Sequence, residues 1–327
     1  MVKAGREGTA FGAAYRSALQ RHFEGSAPML FIGTLKVNGG ARETGSVVTG
    51  ATISEGLRAL GLNGDSIVIV HASLSSFGEV EGGAAAVAKA LTGIAGTVVV
   101  HAGTWDLTGL PCPPGIDRPD NAAARAASWA EFDAAMQAAA PYSLDLPIDR
   151  SLGAIPEALR TGFDHVRGPH PLRSLLAIGQ HASEIIARQR LDSLLGPIEA
   201  VAELDGDVLL LGVDHRTNTA IHLAEQQLGR SCFYRHAKLQ QGIWAELPNV
   251  PGSGCRFDDI EPWIRAKTSE AQIGNCRARL VKVRRVLEAA TELILSDPGA
   301  LLCDDANGRC AASLRQREKL LATKSTL

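Results

Sequence analysis

The sequence predicts an α/β fold in which a central, mostly parallel or mixed β-sheet is flanked by helices. Short runs rich in valine and isoleucine alternate along the chain with alanine- and leucine-rich segments of helical periodicity. The 327 residues are enough to bury a large core. Hydrophobic residues make up 45% of the chain and charged residues 21%, which is typical of globular proteins.

The first regular elements form a strand–helix–strand pattern. Residues 53–60 have helical spacing, and residues 66–70 are a β-branched run of the buried-strand type. A helix is predicted over residues 83–91 and a second strand over residues 97–101. This spacing is that of a βαβ unit, which implies parallel strands joined by a right-handed crossover.

Further elements follow in the second half of the chain. Residues 208–213 predict a strand and residues 219–228 a helix, while residues 271–295 predict one long amphipathic helix. Residues 313–327 predict a solvated helix. The predicted organisation is an N-terminal extension over 1–44, a catalytic domain over 45–300 and a C-terminal tail over 301–327.

Charge and cysteine content exclude several classes of protein. The net charge is −2 and the pI is about 6.5, which argues against a nucleic-acid partner. No apolar run approaches the roughly 20 residues that span a bilayer, and no signal-peptide pattern opens the chain, so we expect a cytoplasmic protein without a membrane partner. The six cysteines form no Cys-x-x-Cys pair, which predicts free thiols and no metal site.

One histidine lies in an unusually stiff local sequence. His170 is flanked by Pro169 and Pro171, which fix their own φ angles and favour an extended backbone at the histidine. Arg167 and Arg173 lie on either side. The segment suits proton transfer beside an anionic ligand, although an isolated Pro-His-Pro is more often an ordinary turn.

Three blocks give the segment a context. They are Val70-His-Ala-Ser-Leu-Ser-Ser-Phe-Gly78, then Gly153-Ala-Ile-Pro-Glu157 followed by His170-Pro171, and finally Leu209-Leu-Leu-Gly-Val-Asp214 followed by Asn218-Thr-Ala-Ile-His-Leu-Ala-Glu225. Over residues 45–300 these blocks resemble the aminoglycoside 3-N-acetyltransferase family, which is distinct from the GNAT acetyltransferases. The resemblance implies metal-free transfer of acetyl from acetyl-coenzyme A (acetyl-CoA) to the 3-amino group of a 2-deoxystreptamine antibiotic, conferring resistance.

The expected coenzyme site combines a serine-rich turn with an arginine. Ser73, Ser75 and Ser76 follow a buried strand and could cradle a phosphate, or simply cap the next helix. The family usually has Arg-Ser where this chain has Arg167-Gly168, so one hydroxyl ligand is missing. The resemblance assigns coenzyme binding to the following residues: Ser73, Leu74, Ser75, Ser76, Phe77, Arg167 and Ser174.

The expected catalytic base is His170. An imidazole has a reference pKa near 6.5 and can accept the proton lost when an amine attacks a thioester. Direct transfer through a ternary complex needs no nucleophilic side chain, and the chain has no Gly-x-Ser-x-Gly motif. A carboxylate should orient the base, and Glu157 and Glu225 are the two candidates.

The acceptor site is predicted from charge. Residues 102–150 contain seven acidic and three basic residues, a local net charge of −4, and could form an acidic wall for a polycation or only an acidic surface loop. Asp106 and Tyr142 are candidates there, and Thr219 and His222 are expected to line the acceptor or thioester pocket. His222 and Glu225 have metal-ligand spacing, but no second copy of the motif exists.

The alternatives are an acetyltransferase of the same family that acts on another amine, such as a biosynthetic aminosugar or an aminophosphonate, and a non-catalytic CoA-binding homologue. A monomer or a homodimer is expected.

Overall fold

The computed structural model describes residues 47–306 and 308–324, so the predicted extension over residues 1–44 lies outside the described residues. The main sheet has seven strands in the spatial order β4-β5-β2-β1-β6-β10-β9. A smaller sheet has the order β3-β7-β8. The strands are β1 Ile67–Ala72, β2 Thr97–His101, β3 Gly109–Leu110, β4 Val166–Arg167, β5 Leu175–Gly179, β6 Asp207–Leu211, β7 Phe233–Gln240, β8 Ile243–Val250, β9 Ser269–Ile273 and β10 Cys276–Lys282.

The centre of the main sheet is parallel and its margins are antiparallel. Strand β1 pairs in parallel with β2 on one side and β6 on the other. The remaining pairs, β2–β5, β4–β5, β6–β10 and β9–β10, are antiparallel. This mixed sheet confirms the predicted α/β class.

Helices cover both faces of the sheet, which explains why its central strands are apolar at successive positions. Helices α1, α2 and α5 bury Val68, Val70 and their neighbours on one face. Helices α7, α8 and α10 bury Ile67, Ile69 and their neighbours on the other. The helices are α1 Gly50–Ala59, α2 Gly83–Ile94, α3 Trp105–Thr108, α4 Trp129–Ala138, α5 Ala154–Gly162, α6 Ala182–Ile186, α7 Gly196–Glu203, α8 Ala220–Gln227, α9 Glu261–Ile264, α10 Val283–Ser296 and α11 Arg309–Lys324.

The long helix predicted over residues 271–295 is wrong in its first half. Residues 269–282 form the hairpin β9–β10, and the helix α10 begins only at Val283. Gly274 takes a φ of +59° in the Gly274-Asn275 turn, and a short turn of glycine and asparagine is typical of β-hairpins. Apolar residues at positions 271, 273, 278 and 280 alternate with polar ones, a strand period that the helical interpretation overlooked.

The C-terminal helix is docked on the domain rather than merely solvated. Arg317 is only 7% exposed and donates a hydrogen bond of 2.6 Å to the Leu228 carbonyl. The carboxylate of Asp120 accepts hydrogen bonds from Arg315 and Lys319. None of the helices in the described part of the chain is long and apolar enough to cross a membrane.

Candidate active site

Each of the three central parallel strands brings a histidine to its carboxyl end. His71 lies near the end of β1, His101 ends β2, and His215 opens a 3₁₀ turn that follows β6. The rings of His71 and His101 are 5.3 Å apart, centroid to centroid. Ligands of open α/β sheets bind at this edge. The sequence interpretation did not single out these histidines, although their shared position after apolar strands was a usable signal.

Helix α8 carries a histidine and a carboxylate that are directly bonded. His222 Nδ1 lies 2.7 Å from Glu225 Oε2, as expected for side chains three residues apart on one helical face. Glu225 is fully buried, and 12% of the His222 side chain is exposed. In the neutral ring, Nδ1 therefore carries the proton and donates a hydrogen bond to the carboxylate, so Nε2 keeps its lone pair. This is the geometry of an oriented general base.

A buried arginine completes this arrangement. Arg230 Nε donates to Glu225 Oε1 at 3.1 Å, and its other nitrogens donate to the carbonyls of Pro298 and Ala300 at 2.8 and 2.7 Å. Both carboxylate oxygens of Glu225 are thus engaged, one by His222 and one by Arg230. The result is a chain of contacts, His222–Glu225–Arg230, that fixes the orientation of the imidazole.

His101 connects this chain to the rest of the site. Its Nε2 lies 2.7 Å from the hydroxyl of Thr219 at the start of α8. Burial lowers the pKa of His101 to about 4, and the nearby charges of Arg173 and His222 act in the same direction. His101 is therefore neutral at physiological pH and lies near enough to both Arg173 and His222 to feel their charges.

His170 lies in a tightly held loop. The hydroxyls of Thr104 and Thr108 both donate to the Pro171 carbonyl, at 2.5 and 2.8 Å. His170 is fully buried, and its Nδ1 accepts a hydrogen bond of 3.1 Å from the backbone N–H of Arg173. The proton of the neutral ring is therefore on Nε2, which has no hydrogen-bond partner among the described residues.

This tautomer bears on the predicted role of His170. Burial, reinforced by the charge of Arg173, lowers the pKa of His170 to about 4. A neutral ring whose Nδ1 is engaged by a backbone N–H presents a hydrogen-bond donor at Nε2, not a lone pair. In this arrangement His170 offers a hydrogen-bond donor at Nε2, and its role as the general base stays a prediction.

Neither Glu157 nor Glu225, the two carboxylates predicted to orient His170, is bonded to it in this structure, so that role stays a prediction. Glu157 is held by Arg160 through two hydrogen bonds of 2.6 and 2.9 Å, and by the backbone N–H of Ile148 at 3.0 Å. Glu225 is bonded to His222 and Arg230 instead. Sequence proximity to His170 did not reveal these pairings.

Two of the predicted coenzyme ligands are structural. The guanidinium of Arg167 donates to the Ser174 hydroxyl and to the carbonyls of Leu144, Leu146 and Ala102. The Ser174 hydroxyl in turn donates to the Ala102 carbonyl at 2.5 Å. Arg167 is 6% exposed and Ser174 is fully buried. Both side chains hold the His170 loop to the end of β2, and these contacts use four of the five N–H groups of Arg167. Their role in coenzyme binding therefore stays a prediction.

Gly168 is required by its neighbour Gln189. A Cβ atom at position 168 would lie 1.8 Å from Gln189 Oε1. The Gln189 side chain accepts from the Leu175 N–H and donates to the carbonyls of Arg173 and Leu194. A glutamine amide therefore occupies the space that a serine at position 168 would need.

The serine-rich turn has the predicted place but fewer free groups than expected. Residues Leu74–Phe77 form a 3₁₀ turn after β1, and the Ser73 N–H donates to the Leu211 carbonyl at 3.0 Å. The hydroxyls of Ser73 and Ser75 lie 3.1 Å apart at the surface. Ser76 donates its hydroxyl hydrogen to the Ser73 carbonyl, and Phe77 is buried in the core.

The acidic wall predicted over residues 102–150 is only partly neutralised. Asp117 pairs with Arg125, and Asp120 pairs with two basic residues of α11. Tyr142 lies in this segment but donates its hydroxyl to the Gly168 carbonyl at 2.6 Å, which supports the His170 loop.

The carboxylates left near the His170 loop are Asp106 and Asp149. Asp106 is exposed. Asp149 is buried and accepts the backbone N–H groups of Trp105 and Asp106 at 2.6 and 3.1 Å. Burial, together with the charge of Asp106, raises the pKa of Asp149 to about 6.

Comparison with known proteins gives this geometry a family. Residues 69–294 match the family model described as aminoglycoside 3-N-acetyltransferase. The sequence is 33% identical over 267 residues to the SPbeta prophage-derived aminoglycoside N(3')-acetyltransferase-like protein YokD of Bacillus subtilis, a match that covers 76% of this chain and 93% of the relative. The crystal structure of YokD superimposes with a TM-score of 0.67 and 27% identity, covering 78% of this chain and 96% of YokD.

Two more distant structures share the fold. The aminoglycoside acetyltransferase AAC(3)-IVa, crystallised as a mutant in complex with a gentamicin, is 24% identical with a TM-score of 0.62, covering 83% of this chain and 98% of that one. AAC-IIIb, solved as a binary complex with CoASH, is 24% identical with a TM-score of 0.61, covering 77% and 97%. The extent of the family match and the similarity to YokD together show that the chain belongs to the aminoglycoside 3-N-acetyltransferase family of acyltransferases.

Proposed function

We propose that this chain transfers an acetyl group directly from acetyl-CoA to an amine in a ternary complex, with His222 as the general base. The observation that carries this proposal is the buried chain of contacts His222–Glu225–Arg230. It leaves His222 Nε2 with a free lone pair at the carboxyl edge of the parallel strands. The assignment moves the base from His170, where the sequence had suggested it, to the helix that follows β6.

The chemistry follows from the two histidines. The amine nitrogen attacks the thioester carbonyl carbon, and His222 Nε2 takes the proton that the nitrogen loses. The C–S bond then breaks, and coenzyme A leaves as a thiolate that regains this proton. His170, with its Nε2–H unpartnered and its ring neutral, supplies a hydrogen bond suited to the oxyanion that develops on the carbonyl.

The coenzyme is assigned to the turn between β1 and α2. Ser73 and Ser75 offer surface hydroxyls there, and the first N–H groups of a 3₁₀ turn are not used within the turn. The CoASH complex of AAC-IIIb, which has the same fold, supports acetyl-CoA as the donor. We place the activity in the cytoplasm, where acetyl-CoA is available.

The first candidate acceptor is the 3-amino group of a 2-deoxystreptamine aminoglycoside. The gentamicin complex of AAC(3)-IVa supports this acceptor class. On this chain, the exposed Asp106 and the buried Asp149 supply negative charge for an ammonium group. Acetylation would remove a positive charge that such a drug uses to bind ribosomal RNA, and resistance would follow.

A second candidate acceptor, an amine that also bears a phosphate or carboxylate, is favoured by three arginines near the His170 loop. Burial, together with the charges of Arg309 and Arg173, lowers the pKa of Arg235 to about 9. Burial and the charge of Arg309 likewise lower the pKa of Arg173. The three guanidinium groups therefore lie close enough to repel one another.

These arginines lack the usual counter-charges. Among the described residues, none of the three has a carboxylate within 4 Å, and Arg173 Nε has no hydrogen-bond partner. Arg173 packs over the Trp105 ring, with its Cζ 5.6 Å from the ring centroid. A polycationic drug would be repelled by such a group, whereas guanidinium forks suit phosphate and carboxylate.

The experiment that tests both candidates measures thiol release from acetyl-CoA against two panels of amines. One panel contains 2-deoxystreptamine aminoglycosides, and the other contains aminophosphonates and amino-sugar phosphates. Turnover with the first panel, with the acetyl group mapped to the 3-amino position by NMR, supports the aminoglycoside. Turnover confined to the second supports the anionic amine.

Arg309→Ala sharpens this choice, with Arg315→Ala on the same helix as the matched control. For an anionic acceptor, Arg309→Ala should raise KM at least about tenfold, as expected for the loss of a charge-assisted hydrogen bond of roughly 1.5–3 kcal/mol, and leave the affinity for acetyl-CoA unchanged. An effect on acetyl-CoA affinity instead would assign the arginines to a coenzyme phosphate. Absence of turnover with either panel would count against the enzyme proposal as a whole.

A further inference from the structure

Three cysteines that are far apart in sequence meet beside the start of α11. Cys255 lies in the loop after β8, Cys303 follows α10, and Cys310 is the second residue of α11. Their sulfur atoms all lie within 4.8 Å of one another. The sequence, with its cysteines in no recognisable pattern, predicted only isolated free thiols.

We propose that Cys255, Cys303 and Cys310 form a three-thiolate site for a Zn²⁺ ion that fastens α11 to the catalytic domain. The site is separate from acetyl transfer and supplies no chemistry to it. It takes a soft or borderline divalent cation, because three sulfur ligands select zinc over magnesium or calcium.

The positions of the sulfur atoms fit this ion. The sulfurs of Cys255 and Cys310 are 3.3 Å apart. Because no two of the sulfurs are farther apart than 4.8 Å, there is a point within about 2.8 Å of all three sulfurs. A Zn–S bond is about 2.3 Å long, and tetrahedral geometry then separates the sulfurs by about 3.8 Å. Shifts of about half an ångström complete the site.

A disulfide explains the cluster less well. Such a bond joins two sulfurs at about 2.05 Å, so a bridge would use two of the three thiols and leave the third without a role. All three side chains converge here, which is the arrangement that a shared ion requires. The exposure of Cys255 leaves the fourth tetrahedral position to water.

The surrounding charges suit bound thiolates. Three thiolates and one Zn²⁺ carry a net charge of −1, and the cationic Arg256 directly follows Cys255 in the chain. Cys310 also lies in the first turn of a 16-residue helix, where the backbone dipole favours an anion. Binding of the ion displaces the protons of the thiols.

The chain leading to the site is firmly positioned. Arg230 holds the carbonyls of Pro298 and Ala300. Leu301 then takes a φ of +65° while only 4% exposed, a conformation that a leucine keeps only where its surroundings impose it. Two residues later comes Cys303. An ion here would tie the residues held by Arg230 to the first turn of α11.

The test begins with the whole protein purified without chelator from zinc-supplemented medium. We expect one zinc per chain by plasma mass spectrometry. After removal of the ion, titration with Co²⁺ should give thiolate-to-cobalt charge-transfer bands and intense visible bands of a tetrahedral site. Chelation should lower Tm by several degrees, and Zn²⁺ should restore it.

Variants locate the ion. The triple change Cys255→Ser, Cys303→Ser and Cys310→Ser should abolish zinc retention, and each single change should weaken Co²⁺ affinity by at least about tenfold. Cys232→Ser is the matched control, because Cys232 is a half-buried thiol outside the cluster. If folded wild-type protein retains no zinc and gives no cobalt charge-transfer band, the proposal is overturned. A Cys255–Cys310 disulfide in the freshly isolated protein would overturn it as well.

Discussion

One pair of substitutions can show which of the two carboxylates that the sequence suggested as partners of the base takes part in catalysis. Glu225→Gln and Glu157→Gln each exchange a carboxylate for an amide of the same shape. In the structure, Glu225 is fully buried and bonded to His222 and Arg230, whereas Glu157 pairs with Arg160 at a partly exposed position. Only Glu225→Gln should therefore affect acetyl transfer.

The expected magnitudes follow from these environments. An amide at position 225 can present either its oxygen or its nitrogen to His222 Nδ1, so the tautomer with a free Nε2 lone pair is no longer enforced. We expect kcat to fall by about 10²–10⁴-fold, or about 3–5 kcal/mol in the activation barrier. For Glu157→Gln we expect kcat within about threefold of wild type and a loss of stability of about 0–1 kcal/mol, since an exposed ion pair contributes little.

Stability must be measured alongside turnover. Glu225→Gln leaves Arg230 without a carboxylate, and breaking a buried pair costs about 3–5 kcal/mol. Its two carbonyl partners remain, so the low end of this range is expected. The assay is steady-state thiol release at a temperature where circular dichroism shows each variant to be folded. A folded Glu225→Gln enzyme with wild-type kcat would refute the role of this carboxylate, as would an equal loss of kcat in Glu157→Gln.

Three further predictions follow from the site. Because the pKa of His170 is about 4, His170→Ala should lower kcat/KM without changing the shape of its pH profile between about pH 5 and 8. His222→Ala should lower kcat by about 10²-fold or more. A changed pH profile in the His170→Ala variant would indicate that His170 is the base. Gly168→Ser should destabilise the protein by about 1–3 kcal/mol through its clash with Gln189. Measured by denaturant unfolding, the loss of stability caused by Gly168→Ser should be smaller in a Gln189→Ser background than in the wild type. The pKa of Asp149 is raised in the folded state to about 6, so the free energy of unfolding should fall by about 2 kcal/mol as pH rises from about 4 to 7. Asp149→Asn should remove that decrease, and an unchanged pH dependence would contradict the assignment.

Much of the fold could be predicted because its local signals agree with its tertiary structure. The apolar runs at β1, β2 and β6 are buried on both faces, so apolar content alone marks them as strands. The β9–β10 hairpin was missed because β9 is half exposed and its alternation runs without a break into the amphipathic pattern of α10. The two-residue turn at Gly274 was the signal that separates them.

The sequence motifs located the loops of the candidate site, but not the contacts of each side chain. Arg167 and Ser174, which were predicted to bind the coenzyme, contact the backbone and each other in the structure. The sequence cannot show whether Arg167 binds three backbone carbonyl groups or a phosphate. The carbonyl groups belong to residues 102, 144 and 146, which are far from the arginine in sequence. The histidines at positions 71 and 101 were recoverable, since the carboxyl ends of parallel strands meet at one edge.

The two histidines of the motifs differ in what their Nδ1 atoms contact, and this decides which of them can act as a base. A backbone N–H at His170 Nδ1 forces the proton to Nε2, and burial without a carboxylate partner among the described residues keeps the ring neutral. A buried carboxylate at His222 Nδ1 does the opposite, since it retains the proton at Nδ1 and compensates the positive charge that the ring acquires when Nε2 accepts another. The stiff Pro-His-Pro segment suggested that His170 is the base. A stiff backbone is equally suitable for a hydrogen-bond donor with a fixed position. A rigid donor from one loop and an oriented base from helix α8 are the two functions that attack of an amine on a thioester requires.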